Sequence, residues 1–430
     1  MWIRNILKID FLLLFASLAL VTVGVLFIYS SGLNTDRVLV SNEYIRQIVW
    51  ASAGLILALA LALLNYRRMY DFSVYLYLGT ILLLIVTLFF RSRWLRIGPV
   101  GLQVSEFAKI TTIVLLAWFL DMTQRLRSVS VRFIAACLIV FVPMALILIQ
   151  PDLGTSLVFI PILLGMTFVS GISLYYIFFL LLLIVFTSVF LLLPIWQTVI
   201  MKNAYPELMA LVNVRFAVAA CLFFAFIAAL SWLGFRRYRK RHFFWFCYGA
   251  SILSISLGAS YVAQRILKEY QMMRLIIFMD PSIDPRGAGW HILQSITAIG
   301  SGGMYGRGYL HGTHSQYRFL PEQSTDFIFA ILSEEWGFFG GVFVFALFLF
   351  IALRLVKIMQ TTSDLFGSYI VAGLVSMYSF HFLVNVGMTM GVMPVTGIPL
   401  TFVSYGGSAL VSAMAGIGLA LSVHIRRFKR

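Results

Sequence analysis

Charge is what this chain has little of. Of its 430 residues only 11% are charged and 61% are apolar, whereas a soluble domain is roughly 25% charged and about half apolar. With a mean hydropathy of +0.96, that shortage excludes a soluble globular protein, a disordered chain and a nucleic-acid binder with a solvated basic face. Cysteine is scarce as well. Cys137, Cys221 and Cys247 each sit inside an apolar run, which is neither a disulfide framework nor a metal-ligand spacing, so they read as small buried hydrophobes. Acids are half as numerous as bases, 16 against 32, for a formal charge of +16. Without a polar surface to carry a basic patch, that excess reads as attraction to anionic headgroups on the cytoplasmic side of a membrane, with no nucleic-acid partner.

Long apolar runs are what is present. Crossing roughly 30 Å of hydrocarbon takes about 20 residues of helix, because every backbone N–H and C=O must be paired within the segment. Uncharged runs occupy 11–35, 47–66, 72–90, 133–151, 153–201, 216–235, 242–264 and 365–425. The run 153–201 holds two spans, broken near Gly171 and Ser173. The run 365–425 holds two more, broken by Gly391, Pro394, Gly397 and Pro399. Further spans fit at about 105–120 and about 328–355, twelve in all. The fold class is therefore all-α, a polytopic helical bundle in a single integral domain. The first run is too long for a secretory signal and has no clear cleavage site after it, so it reads as a retained span. Alternating the sides from an inside start places 18 Lys and Arg inside, Arg4, Arg127 and the cluster at 234–242 among them, and seven in the short outside loops. Both termini are thus expected in the cytoplasm.

The longest polar stretch, about 264–327, then falls outside, as a loop without obvious secondary structure. Two Asp-Pro steps, Asp280-Pro281 and Asp284-Pro285, read as tight turns. The glycine run from Gly300 to Gly308 is neither a GxGxxG after a strand nor a P-loop. It reads either as a diphosphate cradle of exposed N–H groups or as a flexible turn. His311 and His314, two lone histidines in a polar loop, read as non-ligands. Asp326 sits where the loop re-enters the membrane, with Glu322, Arg318 and Arg274 in the same stretch. It suits a general base, a ligand for a divalent cation, or an N-cap shared among Ser324, Thr325 and Asp326.

Charges inside spans are expensive, about 2.5–3.5 kcal/mol each at mid-bilayer, and normally pair within the bundle. Glu106 and Lys109, three apart on one helix face, read as such a pair, lining a polar cavity or only fixing helix packing. Asp152, after Gln150-Pro151, reads equally as a functional acid or as a cap at the junction of two spans.

Six motifs now stand in order: Gln103-Val-Ser-Glu-Phe-Ala-Lys109, Gln150-Pro-Asp-Leu-Gly-Thr-Ser156, Gly289-Trp-His-Ile-Leu-Gln-Ser295, Gly300-Ser-Gly-Gly303, Phe319-Leu-Pro-Glu-Gln-Ser-Thr-Asp-Phe-Ile-Phe329 and Pro399-Leu-Thr-Phe-Val-Ser-Tyr-Gly-Gly-Ser408. Together they resemble the shape, elongation, division and sporulation (SEDS) family. Leu310–Gln316 and Gly391–Pro399 are similar to its rod-shape branch. The resemblance covers about 1–195 and 269–430. It implies a ten-span peptidoglycan glycosyltransferase that polymerises lipid II at the outer face of the cytoplasmic membrane. It also implies a class B penicillin-binding protein and other elongation-complex proteins as partners, and a divalent cation, Mg²⁺ or Mn²⁺.

By motif position the resemblance implies Asp326 as the essential acid and metal ligand. The other positions carried over for substrate are Glu106, Lys109, Asp152, Trp94, Arg274, Gln294, Ser295 and Glu322. Val104 departs from the proline usual in that motif. Residues 196–268 look inserted, with two extra spans that preserve sidedness. A lipid II flippase and a non-catalytic scaffold remain as alternatives. A secondary transporter fits less well, since no internal repeat relates the two halves.

Overall fold

The computed structural model describes residues 8–98, 100–125, 128–199, 213–266, 269–284 and 287–427. Arg4, Arg127, Pro285 and residues 200–212 of the expected insertion lie outside the described residues, and nothing is said of the Tyr270 side chain.

The chain folds as α1 (Phe11–Ser31), α2 (Glu43–Leu63), α3 (Arg68–Phe89), a hairpin of β1 (Trp94–Ile97) and β2 (Val100–Gln103), α4 (Val104–Met122), α5 (Val129–Ile149), α6 (Leu153–Leu157), α7 (Phe159–Val169), α8 (Leu174–Val199), α9 (Val214–Tyr238), α10 (Arg241–Ile266), α11 (Glu269–Met279), α12 (Ala288–Gly302), α13 (Thr313–Gln316), α14 (Ile328–Thr361), α15 (Leu365–Thr389) and α16 (Gly407–Arg426). Among the described residues, ten helices are long and apolar enough to cross a membrane. The protein is a multi-pass membrane protein. Two of the twelve expected spans fall short of that standard. α4 carries Glu106, Lys109 and Asp121, and the segment Leu153–Val169 is shorter. It breaks at Val158, where Pro161 has no N–H to give the carbonyl four residues back. The breaks expected from glycine are present: Gly171 ends α7 with φ 74°, and Gly391 and Gly397, at 73° and 72°, lie between α15 and α16.

The described residues form two compact units, one running to Ile172 and resuming at His291, the other Ser173–Trp290. In the first, α16 packs along α2, and α15 packs against α4, α7 and α14. Small residues set the first contact. Gly54, Ala58 and Ala62 lie buried on α2, and a Cβ on Gly418 would strike the backbone of Ala58. Backbones brought that close gain dispersion contacts that lipid does not replace. In the second unit α9 pairs with α10, and α10 and α11 pack on α8. Tyr248 donates to the Tyr175 carbonyl at 2.9 Å, and Ser256 to that of Leu183 at 3.2 Å.

Two expectations need correction. The three cysteines are half-buried, not buried, because an apolar residue in a membrane helix does not need protein around it. The stretch 264–327 is largely helical, holding α11, α12 and α13. α12 is amphipathic: Ile292, Ser295 and Ala298 are buried at a spacing of three, while Leu293 and Ile296 face outward. Glycines at both its ends hid that period in the sequence.

Candidate active site

The charged pair of α4 closes first. Lys109 Nζ lies 2.9 Å from Glu106 Oε2, and both residues are buried. A third partner joins them from α15, where His381 Nε2 lies 3.2 Å from Lys109 Nζ. Around this triad is a cavity of about 20 Å³, lined also by Tyr378, Thr401 and Ser412. That volume holds one water. Ser412 Oγ donates to the Glu106 carbonyl at 2.8 Å, fixing α16 against the base of α4. The lysine ammonium is thus inside the bundle, already engaged by a carboxylate and an imidazole.

One turn along α15 from His381, Asn385 is fully buried. Its Nδ2 donates to the Asp326 carbonyl at 3.0 Å and to the Ile398 carbonyl at 2.8 Å. The turns before α14 are held at two further points: Gln323 Nε2 donates to the Ser31 carbonyl at 2.8 Å, and the Tyr405 amide to the Ser324 carbonyl at 2.8 Å. Asp326 itself is half-buried. The capping alternative is not realised. Phe327 stands at the N-cap of α14 and makes no side-chain cap bond. Glu322 is exposed with φ 51° and accepts from Thr325 Oγ1 at 3.2 Å.

The remaining expected residues divide. Trp94 is 44% exposed on β1, paired in register with Gln103. Asp152 does cap a junction: it accepts from the Thr155 amide at 3.1 Å and hydroxyl at 2.9 Å. It also accepts from Gln103 Nε2 at 2.9 Å, so the hairpin bearing Trp94 is tied to the start of α6. Ser295 is buried and spends its hydroxyl on the Thr389 carbonyl at 2.7 Å, whereas Gln294 on the same helix is half-buried. Arg274 is half-buried on α11, in the second unit. The Asp280-Pro281 turn forms as read, while Pro285 of the second lies outside the described residues. Asp280 accepts from the Ser282 amide and hydroxyl, which holds its carboxyl below the usual range. Asp284 Oδ1 accepts from the Gly287 amide at 2.9 Å.

The family model described as a cell cycle protein, FtsW/RodA/SpoVE, matches residues 11–215 and 217–429. The chain belongs to this family. It is 46% identical to the peptidoglycan glycosyltransferase RodA of Treponema pallidum (strain Nichols), over 99% of this chain and 100% of that one. It is 34% identical to the peptidoglycan glycosyltransferase MrdB of Escherichia coli (strain K12), over 89% and 85%. Its fold is similar to that of a chain from a peptidoglycan synthase complex that coordinates polymerisation and crosslinking, with TM-score 0.68, 25% identity and coverage of 98% and 99%. The Thermus thermophilus rod shape determining protein RodA shares the fold at TM-score 0.59 and 23% identity, over 98% of each chain.

In this FtsW/RodA/SpoVE chain, sequence reading missed His381 and Asn385, which lie inside an uncharged run. The available signal was an ionisable ring in a span, where it is costly unless partnered. The glycine run does neither of the two things expected of it. The amides of Arg307 and Gly308 donate to the carbonyls of Glu334 and Glu335, and that of Phe338 to Gly303, at 2.9–3.0 Å. The run therefore packs against a kink in α14 at Gly337, φ 66°. Both buried acids of the kink hold the preceding loop: Glu334 accepts from the His314 amide and ring and from Thr313, and Glu335 from Ser30 and the Leu310 amide. His314 is occupied by that contact, and His311 lies 3.2 Å from Arg37.

Proposed function

We propose that this protein is a peptidoglycan glycosyltransferase that polymerises lipid II into β-1,4-linked glycan strands during cell elongation. One observation carries the reading. The half-buried Asp326 sits on a segment clamped through Asn385, Gln323 and Tyr405, one residue before the N-cap of α14. A carboxylate held by its backbone at the end of a span suits proton transfer from a hydroxyl delivered by a lipid-linked sugar.

Asp326 takes the proton of the acceptor GlcNAc 4-hydroxyl. The oxygen bonds to the anomeric carbon of the MurNAc at the end of the growing strand. The bond from that carbon to the diphosphate breaks, and its electron pair leaves on undecaprenyl diphosphate, with inversion. Among the described residues no three His, Cys, Asp or Glu side chains gather as a metal site. Asp326, a half-buried carboxylate, would hold a Mg²⁺ that takes its other ligands from substrate phosphates and water. When bound, such an ion supplies positive charge to the departing diphosphate. The buried Glu106–Lys109–His381 triad shapes the bundle beneath. Its lysine is paired with Glu106 and His381, and the Glu106–Lys109 pair is assigned to the polar lining of the substrate cavity.

The site faces the extracytoplasmic side, both termini are cytoplasmic, and the membrane is the cytoplasmic one, as the charge count supports. The hairpin of α9 and α10 is read as an insertion that leaves this sidedness unchanged. A class B penicillin-binding protein is the partner, with other elongation proteins around it.

The test is polymerisation of dye-labelled lipid II in detergent by the purified protein with its penicillin-binding partner. Asp326→Ala is expected to lose about 10²–10⁴-fold, the share of a general base. Near-normal polymer from that variant refutes the acid's role. Failure of every wild-type complex to polymerise in detergent, with transport retained in sealed vesicles, favours the flippase reading.

A further inference from the structure

The loop before α14 carries an aromatic surface that the proposed reaction does not use. α13 is capped at Tyr317, and two bonds close the turn after it. The Phe319 amide donates to the His314 carbonyl at 3.2 Å, and the Arg318 amide to that of Ser315 at 3.2 Å. This pairing takes a left-handed residue just past the helix, a place that glycine or asparagine usually fills. Here it is Arg318, with φ 55°, which keeps a Cβ where the backbone disfavours one. Arg318 is exposed, and its guanidinium is in no ion pair or side-chain hydrogen bond among the described residues.

The same turn brings Tyr317 and Phe319 face to face, with ring centroids 5.5 Å apart and planes 20° from parallel. Phe319 meets the His314 ring edge-on at 6.0 Å. His314 Nδ1 in turn lies 2.9 Å from the Glu334 carboxylate buried in α14. The stack is thus anchored in a membrane helix, and its outermost ring, Tyr317, is 60% exposed with its hydroxyl unpartnered among the described residues. A fixed aromatic face with a hydrogen-bonding tip and a guanidinium beside it suits an acetamido sugar. The C–H face of the pyranose packs on the ring, and its hydroxyl and amide oxygens accept from the phenol and the guanidinium. Because the ring is held beforehand, little rotamer freedom is lost on binding. The Thr325 and Asp326 amides both donate to the Glu322 carbonyl, so the acid lies one turn from Glu322. From Tyr317 to Glu322 the chain extends at most about 18 Å.

Resting on the reading of this loop as the outward-facing site of a glycan polymerase, we propose that Tyr317 and Arg318, backed by Phe319, form a subsite for the β-1,4-linked acetamido sugars of the growing strand, away from the bond being made.

The probe is N-acetylchitotetraose, a soluble β-1,4-linked tetramer with neither lipid nor diphosphate, titrated into the purified full chain in detergent and read by saturation-transfer NMR. Wild type is expected to bind it, with the strongest transfer to the ring C–H protons. Tyr317→Ala is expected to weaken binding about tenfold, the scale of one aromatic stack, and Tyr317→Trp to restore it. Arg318→Gly separates recognition from folding. Glycine relieves the left-handed turn, so the melting temperature is expected to hold or rise, while binding falls about fivefold, the scale of one hydrogen bond. A lower melting temperature with unchanged binding means a structural arginine and overturns its assignment. Unchanged binding in Tyr317→Ala overturns the subsite and leaves the rings as an anchor among headgroups or a contact for a protein partner. A wild type that polymerises lipid II without binding the tetramer refutes the subsite alone. One that binds the tetramer through Tyr317 and forms no polymer refutes the polymerase reading and keeps the sugar site.

Discussion

Three residues on α15 decide whether a polar group inside this bundle is an asset or a fault. His381, Asn385 and Thr389 are spaced by four, and each holds a different piece of the site: the Lys109 ammonium, the Asp326 backbone and, through its carbonyl, Ser295. Removing one member of a buried pair leaves the other charged and unsolvated, at about 3–5 kcal/mol. Lys109→Ala is therefore expected to lower thermal stability by that order, whereas Glu106→Gln combined with Lys109→Met is expected to cost less than the single change. Melting curves in one detergent compare them, and a double variant worse than Lys109→Ala contradicts the pairing. Asn385 is a positioning residue, because it touches Asp326 through the backbone only. Asn385→Ala frees two buried carbonyls and lets the acid drift. A misplacement near 1 Å costs about 10²-fold, so the polymerisation rate at saturating lipid II is expected to drop on that scale. A merely structural asparagine predicts a lower melting temperature with an unchanged rate per folded molecule.

At the scale of elements, the kink of α14 joins a helix to the loop before it. Gly337 has φ 66°, and a Cβ there would strike the backbone of Met304 and Gly306. Just before it, Glu335 holds Ser30 and the Leu310 amide. Glu335→Ala removes the acceptor from a buried amide, a loss of about 1–3 kcal/mol. Amide exchange over 306–316 is expected to quicken while exchange in α16 stays unchanged. Equal quickening in both segments refutes a local staple. None of this was legible beforehand. Hydropathy located the spans, because membrane solvation acts on each residue independently of its neighbours, and Gly171, Gly391 and Gly397 marked real breaks. The Glu106–Lys109 pair was legible from a spacing of three, and Asp326 from its place at a boundary. His381 came from another span, and contacts between distant spans leave no period to read. The glycine run misled because two open readings, cradle and flexible turn, shared a composition with a third, close backbone packing. α12 was lost for a related reason: its buried face is short and bounded by glycine.

For the whole molecule the decisive quantity is which side each loop faces, since a lipid-linked donor can be used only in the leaflet where it resides. Sidedness follows from charge. Arg236 and Arg237 end α9, Arg239 and Lys240 form its connection to α10, and Arg241 opens α10, and moving such a cluster across a membrane is opposed by the bias that orients multi-span proteins. On the proposed sidedness α1 crosses outward, which puts the connection between α1 and α2 outside and that between α14 and α15 inside. Thr35 in the first and Gln360 at the second are both exposed. In a protein whose three cysteines have been replaced by alanine, Thr35→Cys is expected to react with a membrane-impermeant maleimide in intact cells. Gln360→Cys is expected to react only after the cells are opened. The reverse pattern inverts every span and puts Asp326 on the cytoplasmic side, where no outer-leaflet strand can reach it. Labelling of Thr35 outside, with Gln360 also outside, breaks the odd count of crossings between them and means that an odd number of the spans from α2 to α14 fails to cross. The experiment thus separates an inverted bundle from a miscounted one, and only the expected pattern leaves the acid of the candidate site facing its donor.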